Sequence, residues 1–78
     1  MTDDRQERIH AVFSRTLRVP ADSLHDELRR GTIEQWDSLG HLNLVTALNE
    51  EFGVQLSPER ALAMHTIGDI KRIIGELL

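Results

Sequence analysis

The chain of 78 residues contains no cysteine. It therefore forms no disulfide bond, holds no metal through thiolates and has no cysteine nucleophile. Tyrosine is also absent, and the aromatic residues are two phenylalanines and one tryptophan. The core must be built mainly from aliphatic side chains, chiefly the eleven leucines and six isoleucines. A leucine-rich composition without strand-like alternation favours helices.

Long apolar runs and positive charge are scarce as well. No stretch approaches the roughly 18 apolar residues of a transmembrane helix, and residues 1–5 lack the apolar segment of a secretory signal. Nine Lys and Arg stand against thirteen Asp and Glu, a net charge of −4. Nucleic-acid binding requires clustered cations. We predict one cytoplasmic domain over residues 1–78, a monomer without membrane insertion or a nucleic-acid partner.

The first third of the chain predicts one helix and a long connection. Apolar residues recur at helical spacing over residues 3–18, with Thr2 as a cap and Pro20 as a stop. Residues 20–36 then form a long loop. Leucine and isoleucine side chains within it can contact the core, and a short helical turn is predicted around residues 22–28.

Three further helices are marked by their start and stop signals. The second begins at Asp37 or Ser38 and runs to residue 52, where Gly53 ends it. A short third helix starts after Ser57 and reaches about residue 64, and a fourth starts at Thr66, where a capping box is expected. The predicted fold is all-α, a small four-helix bundle of three longer helices and one short helix with a long first loop.

Few residue patterns support enzyme chemistry. The chain has no glycine-rich nucleotide loop and no pair of histidines at metal-ligand spacing. Asp37, Ser38 and His41 fall within one helical turn and lack the motif that surrounds a hydrolase serine. We interpret the histidines as solvated or edge residues: His10, His25, His41 and His65.

The most informative stretch runs from Trp36 through Asp37, Ser38 and Leu39. An acid and a serine before an apolar helix form an ordinary N-cap. The same serine also lies where unpaired amides and the helix dipole favour an attached phosphate. The long preceding loop leaves this helix start accessible, so both interpretations stay open.

At these residues the chain resembles the acyl carrier protein family, which includes peptidyl and aminoacyl carrier proteins. The hallmark D-S-L is Asp37-Ser38-Leu39, the sequence E-E-F-G follows at residues 50–53, and the predicted elements occur in the family's order along almost the whole chain. The resemblance implies that Ser38 carries 4′-phosphopantetheine, installed from coenzyme A by a phosphopantetheinyl transferase. The arm would hold an acyl or aminoacyl group as a thioester, and the carrier would not be an enzyme.

The resemblance also implies partner and cargo contacts. Partners would be a phosphopantetheinyl transferase, an acyl- or aminoacyl-loading ligase, and a downstream acyltransferase or synthase. Positions that match the family's partner-binding residues are Asp37, Leu39, Leu42, Thr46, Glu50, Glu51 and Met64. Positions that match its arm-lining or acyl-lining residues are Leu39, Leu42, Val45, Leu48 and Met64. The alternatives are core positions for the apolar residues and a solvated face for the acids.

Departures from the family pattern suggest a specialised role. Gly40, Asn43 and Asn49 stand where fatty-acid carriers have acids, and Gly40 lowers helix stability relative to alanine. We therefore expect a carrier for polyketides, nonribosomal peptides, a modified lipid or an activated amino acid. The alternative function is a helical interaction adaptor with an unmodified serine cap. A helix-turn-helix DNA binder is disfavoured because the best recognition helix has no cation.

Overall fold

The computed structural model describes residues 4–78 and contains four α-helices there. They are α1 (Asp4–Leu17), α2 (Ser38–Phe52), α3 (Pro58–Leu62) and α4 (Ile67–Leu77). No β-strand occurs within these residues. The predicted class, three longer helices and one short helix, is confirmed. The expected cap Thr2 and the expected first helical residue Asp3 lie outside the described residues.

The core is aliphatic around two buried aromatic rings. Phe13 of α1 packs edge-to-face on Trp36, with ring centroids 4.9 Å apart and planes at 86°. Trp36 precedes α2, so its burial draws the end of the long loop onto α1. The other buried apolar side chains come from α1, α2, α4 and the segments between them: Ile9, Val12, Leu17, Val19, Leu44, Leu48, Met64, Ile67, Ile70, Ile73 and Ile74.

Local signals define both ends of α2. The Asp37 carboxylate accepts a hydrogen bond of 2.7 Å from the Gly40 N–H, so Asp37 is the N-cap and the helix begins at Ser38. Gly53 adopts a left-handed conformation with φ of 64° and its N–H donates to the Asn49 carbonyl. The predicted start and end of this helix are therefore confirmed.

The two C-terminal helices begin at side-chain caps. Ser57 accepts from the Arg60 N–H at 3.2 Å, and Thr66 forms the expected capping box with Asp69. Helix α3 is two residues shorter than predicted. Its last turn tightens, because the Ala63 N–H is shared between two carbonyls, and the chain then enters the core.

The long loop is held by backbone hydrogen bonds rather than by a long helical turn. Its helical part is one 3₁₀ turn, Ala21–Ser23, which is shorter than the turn predicted for residues 22–28. The Ile67 and Gly68 N–H groups donate to loop carbonyls, and the Arg30 N–H donates to the His65 carbonyl at 2.7 Å. These bonds fix residue 30 beside the link between α3 and α4. Among the helices of residues 4–78, none has the length and hydrophobicity needed to span a bilayer.

Candidate functional site

Ser38 is an exposed residue at the first position of α2. Because Asp37 supplies the cap, the Ser38 hydroxyl is not used to begin the helix. Within residues 4–78 this hydroxyl makes no side-chain hydrogen bond. Ser38 is thus accessible and chemically uncommitted, which an attachment point requires.

A pocket of about 460 Å³ opens beside Ser38, between α2 and α3. Its wall is mostly apolar, and its lining residues are Arg30, Ser38, His41, Leu42, Val45, Pro58, Ala61 and Leu62. Ligand pockets are typically concave and apolar with a few polar groups. The pocket therefore offers space beside Ser38 for an attached group.

Large apolar side chains remain exposed around this pocket. Leu39, Leu42 and Leu62 are 68%, 66% and 67% exposed, and the last two line the pocket itself. Single exposed leucines are common on protein surfaces, but a group of them at the mouth of a pocket is typical of an interaction site.

Four of the sequence-predicted partner residues share one exposed face of α2. At 100° per residue, Leu39, Leu42, Thr46 and Glu50 lie within about 80° of arc. All four are exposed, and the Thr46 hydroxyl donates to the Leu42 carbonyl at 3.1 Å. This face begins one residue after Ser38, so a protein that covers its N-terminal end lies next to the serine. We call these four residues the α2 face.

Two sequence-predicted partner residues lie elsewhere. Glu51 faces α1, where its carboxylate pairs with the Arg8 guanidinium at 3.0 Å and Arg8 also stacks over the Phe52 ring. Met64 is wholly buried in the core, so it is not part of an exposed docking surface. Leu48, which matched a cargo-lining position, is wholly buried as well. Burial of apolar surface and the pairing with Arg8 account for these three positions.

His41 is a buried structural residue, and its interpretation as solvated or edge is wrong. It is 7% exposed and bridges two elements. Trp36 Nε1 donates to His41 Nδ1 at 3.0 Å, and His41 Nε2 lies 2.8 Å from the Ala61 carbonyl. Since the indole N–H only donates, Nδ1 must accept and Nε2 carries the proton. The sequence does not predict this role, because its only local signal is the indole donor of Trp36 five residues earlier and the other partner, Ala61, is distant in sequence.

The surroundings of His41 keep its imidazole neutral. Burial lowers the pKa of His41, and the hydrogen bond to the Ala61 carbonyl partly opposes this. The positive charge of Arg30 lowers the pKa further. A neutral ring is the form that can accept from Trp36 while it donates to α3.

Gly40 allows the loop to approach the start of α2. A Cβ at this position would collide with the Gln35 carbonyl oxygen and come within 3.2 Å of a Leu17 methyl group. The sequence indicated that Gly40 weakens the helix. The structure adds that this glycine lets the loop, the Asp37 cap and α1 pack closely, which holds Ser38 in place.

Arg30 brings a positive charge to the pocket. Its side chain is half-buried, and Nη2 lies 3.3 Å from both the Leu62 carbonyl and His65 Nδ1. Within the described part of the chain, Arg30 forms no ion pair with a carboxylate. Residues 4–78 also bring together no three side chains suited to hold a metal ion.

Comparison with known proteins identifies the family. A family model described as a phosphopantetheine attachment site matches residues 7–74. Over 71 residues, 91% of this chain, the sequence is 30% identical to acyl carrier protein 3, chloroplastic, of Cuphea lanceolata. The chain spans 50% of the length of that relative. The chain therefore belongs to the acyl carrier protein family, whose members are not themselves enzymes and bear 4′-phosphopantetheine as their prosthetic group.

Proposed function

We propose that Ser38 carries the 4′-phosphopantetheine arm and that the chain presents an acyl or aminoacyl group to partner enzymes as a thioester. The observation that carries this proposal is the position of Ser38: exposed at the start of α2, with its hydroxyl uncommitted, beside an apolar pocket. The family model covers this region. The arm supplies a terminal thiol, which a chain without cysteine lacks.

Neighbouring residues position Ser38 for this role. Asp37 caps the helix, which leaves the Ser38 hydroxyl free for phosphodiester formation. Gly40 admits the loop against the helix start, so the serine stands at a closely packed helix end. His41 ties α2 to α3 through the Ala61 carbonyl, so this hydrogen bond joins the two helices on either side of the pocket.

The pocket can hold part of the arm or a small cargo. Its volume of about 460 Å³ lies within the range of small-molecule sites. Leu42, Val45 and Leu62 supply apolar walls against which a bound group can pack. Leu48 and Met64 do not line this pocket, and both are wholly buried in the core.

The α2 face is the proposed docking surface for the transferase, a loading ligase and a downstream acyltransferase or synthase. Glu50 is its only acid, and the segment from 37 to 52 contains no Lys or Arg. Complementary charge mainly sets association rate and partner choice. With so little charge on this face, docking rests on Leu39 and Leu42, which supports partners other than those of a housekeeping fatty-acid carrier.

The direct test is intact-mass measurement after reaction with coenzyme A and a broad-specificity phosphopantetheinyl transferase. We expect the wild type to gain one phosphopantetheine and Ser38→Ala to gain none. Ser57→Ala is the matched control, because Ser57 is also exposed at a helix start, and it should be modified like the wild type. An unmodified wild type, or modification of Ser38→Ala, contradicts the proposal. An unmodified wild type would support the adaptor instead.

The specialised pathway requires its own experiment. The modified protein is offered to fatty-acid synthase enzymes and, separately, to amino acids or acyl donors with candidate ligases. Efficient malonyl loading and chain extension would contradict a specialised role.

The cytoplasmic location, the single domain and the monomeric state stay predictions. The relative from Cuphea lanceolata is named chloroplastic.

A further inference from the structure

Arg30 is the charged side chain of the pocket. Among the described residues that line it, the others are apolar side chains, the Ser38 hydroxyl and the neutral imidazole of His41. Arg30 is half-buried as a residue, and its guanidinium lies at an exposed position at the edge of the pocket. A ligand can therefore reach this charge from solvent.

The charge of Arg30 is not compensated within residues 4–78. Four other cations pair with carboxylates: Arg8, Arg60, Lys71 and Arg72. Arg30 has only the Leu62 carbonyl and His65 Nδ1, and both contacts use the single nitrogen Nη2. Its Nη1 and Nε groups make no hydrogen bond with the described residues. The guanidinium thus retains donors for a further oxygen ligand.

The backbone holds Arg30 in one place. Its N–H donates to the His65 carbonyl at 2.7 Å, and the preceding Arg29 forms an isolated antiparallel bridge with Thr66. The Nη2 contact with Leu62 then fixes the side chain against the end of α3. Little ordering of this residue is needed when an anion binds, which favours binding.

We propose that Arg30 binds the phosphodiester of the arm on Ser38 and thereby directs the arm into the pocket between α2 and α3. This inference rests on the proposed function of Ser38. Both residues line the same pocket, and the phosphodiester is the first group beyond the serine oxygen. A guanidinium presents donors in a planar fork that matches phosphate oxygens, and such charge-assisted bonds are stronger than neutral ones. Arg30 acts here as a positioning residue.

Phosphorus-31 NMR of the modified protein tests this contact directly. The reference is the same modified protein unfolded in urea, in which the phosphodiester contacts no folded site. We expect the folded wild type to differ from this reference and Arg30→Gln to move most of the way towards it. Arg30→Lys, which keeps the charge without the fork, should fall between the two. High salt should move the wild-type signal in the direction of Arg30→Gln.

The matched control is Arg29→Gln. Arg29 is exposed, lies next to Arg30 and does not line the pocket, so the same loss of charge there should leave the phosphorus signal unchanged. Overlap of the Arg30→Gln signal with that of the wild type overturns the inference, as does an equal change in Arg29→Gln. If Arg30→Gln does not fold, Arg30→Lys and high salt supply the test. The inference is overturned if the phosphorus signal of Arg30→Lys overlaps that of the wild type and high salt leaves the wild-type signal unchanged.

The melting temperature supplies a second measurement. Modification should raise the melting temperature of the wild type more than that of Arg30→Gln at low salt, because only the wild type gains the phosphate contact. Equal effects of modification on the two proteins count against the contact. Failure of the proposed function is distinguishable, since a chain that gains no mass carries no phosphorus, whereas a modified chain with a signal insensitive to Arg30 refutes this inference alone.

Discussion

The indole Nε1 of Trp36 donates to Nδ1 of His41 across 3.0 Å in the protein interior. The two residues lie on either side of Ser38 in the sequence, and His41 in turn reaches the Ala61 carbonyl of α3. The loop, the start of α2 and α3 are therefore joined by one hydrogen-bonded chain. This chain fixes the serine and one wall of the pocket together.

Substitution of His41 by alanine should lower the free energy of unfolding by about 1–3 kcal/mol, because the buried Trp36 N–H loses its acceptor and the Ala61 carbonyl loses one of its donors. Urea unfolding followed by circular dichroism measures the loss. His25→Ala is the control, since His25 is exposed, and a change within about 0.5 kcal/mol is expected there. Equal effects of the two substitutions would show that the buried bridge adds nothing to stability.

Stability should fall on mild acidification. Burial lowers the pKa of His41 below its ordinary 6.5, and burial and Lys71 lower that of His10 against the opposing charge of Asp26. The unfolded chain then binds more protons than the folded one. This contribution is complete above about pH 6.5 and is lost as the pH falls towards the folded pKa values.

Unfolding free energies measured between about pH 7.5 and 5.5 test this linkage. His41→Gln should show a shallower slope than the wild type, and the double substitution with His10→Gln a shallower slope still. A wild-type stability that does not change over this interval, or equal slopes in all three proteins, would refute the linkage.

Gly40→Ala should destabilise the protein although alanine is the better helix former. The added methyl group meets the Gln35 carbonyl oxygen, which belongs to backbone and cannot move aside easily. At Gly75 of α4 the nearest atom is 3.3 Å away on the flexible Arg5 side chain, so Gly75→Ala should raise stability by about 0.5–1 kcal/mol. Thermal melts of the two variants should change in opposite directions. A stabilised Gly40→Ala would contradict the close approach.

Substitutions of Asp37 and Ser38 should differ in their effect on the stability of the unmodified protein. Asp37→Ala removes the N-cap and should cost about 0.5–2 kcal/mol. Ser38→Ala should cost less than about 0.5 kcal/mol, since its hydroxyl caps nothing. Chemical denaturation of the unmodified proteins gives both values. A larger loss of stability for Ser38→Ala than for Asp37→Ala would show that Ser38, and not Asp37, caps the helix.

Glu50 and Glu51 should differ in their effect on partners. Glu50 lies on the α2 face, whereas Glu51 pairs with Arg8 of α1. Glu50→Gln should lower kcat/KM of a phosphopantetheinyl transferase, mainly at low salt, because charge on a docking face guides association. Glu51→Gln should leave kcat/KM nearly unchanged. A larger effect of Glu51→Gln would show that partners contact the side facing α1.

Local sequence signals predicted most of the fold. The Asp37 cap, the Gly53 stop, the Ser57 cap and the capping box at Thr66 act over a few residues, so their effect is visible without the rest of the molecule. The end of α3 was predicted less well, since it depends on where the chain turns to bury Met64.

The candidate site was predicted only in part. Ser38 and the α2 face follow from a motif and from helical spacing. The roles of Glu51, His41 and Arg30 depend on partners that are distant in sequence: Arg8 lies 43 residues from Glu51, Ala61 lies 20 from His41, and His65 lies 35 from Arg30. Such pairs form only when the bundle packs, and neither residue type nor spacing along one helix reveals them.

Locating the modification on the chain tests the central claim most directly. After reaction with coenzyme A and the transferase, the intact protein is fragmented in a mass spectrometer and the added phosphopantetheine is assigned to a residue. The account predicts that the entire adduct lies on Ser38. An adduct on Ser14, Ser23 or Ser57, or no adduct on a folded chain, would contradict it.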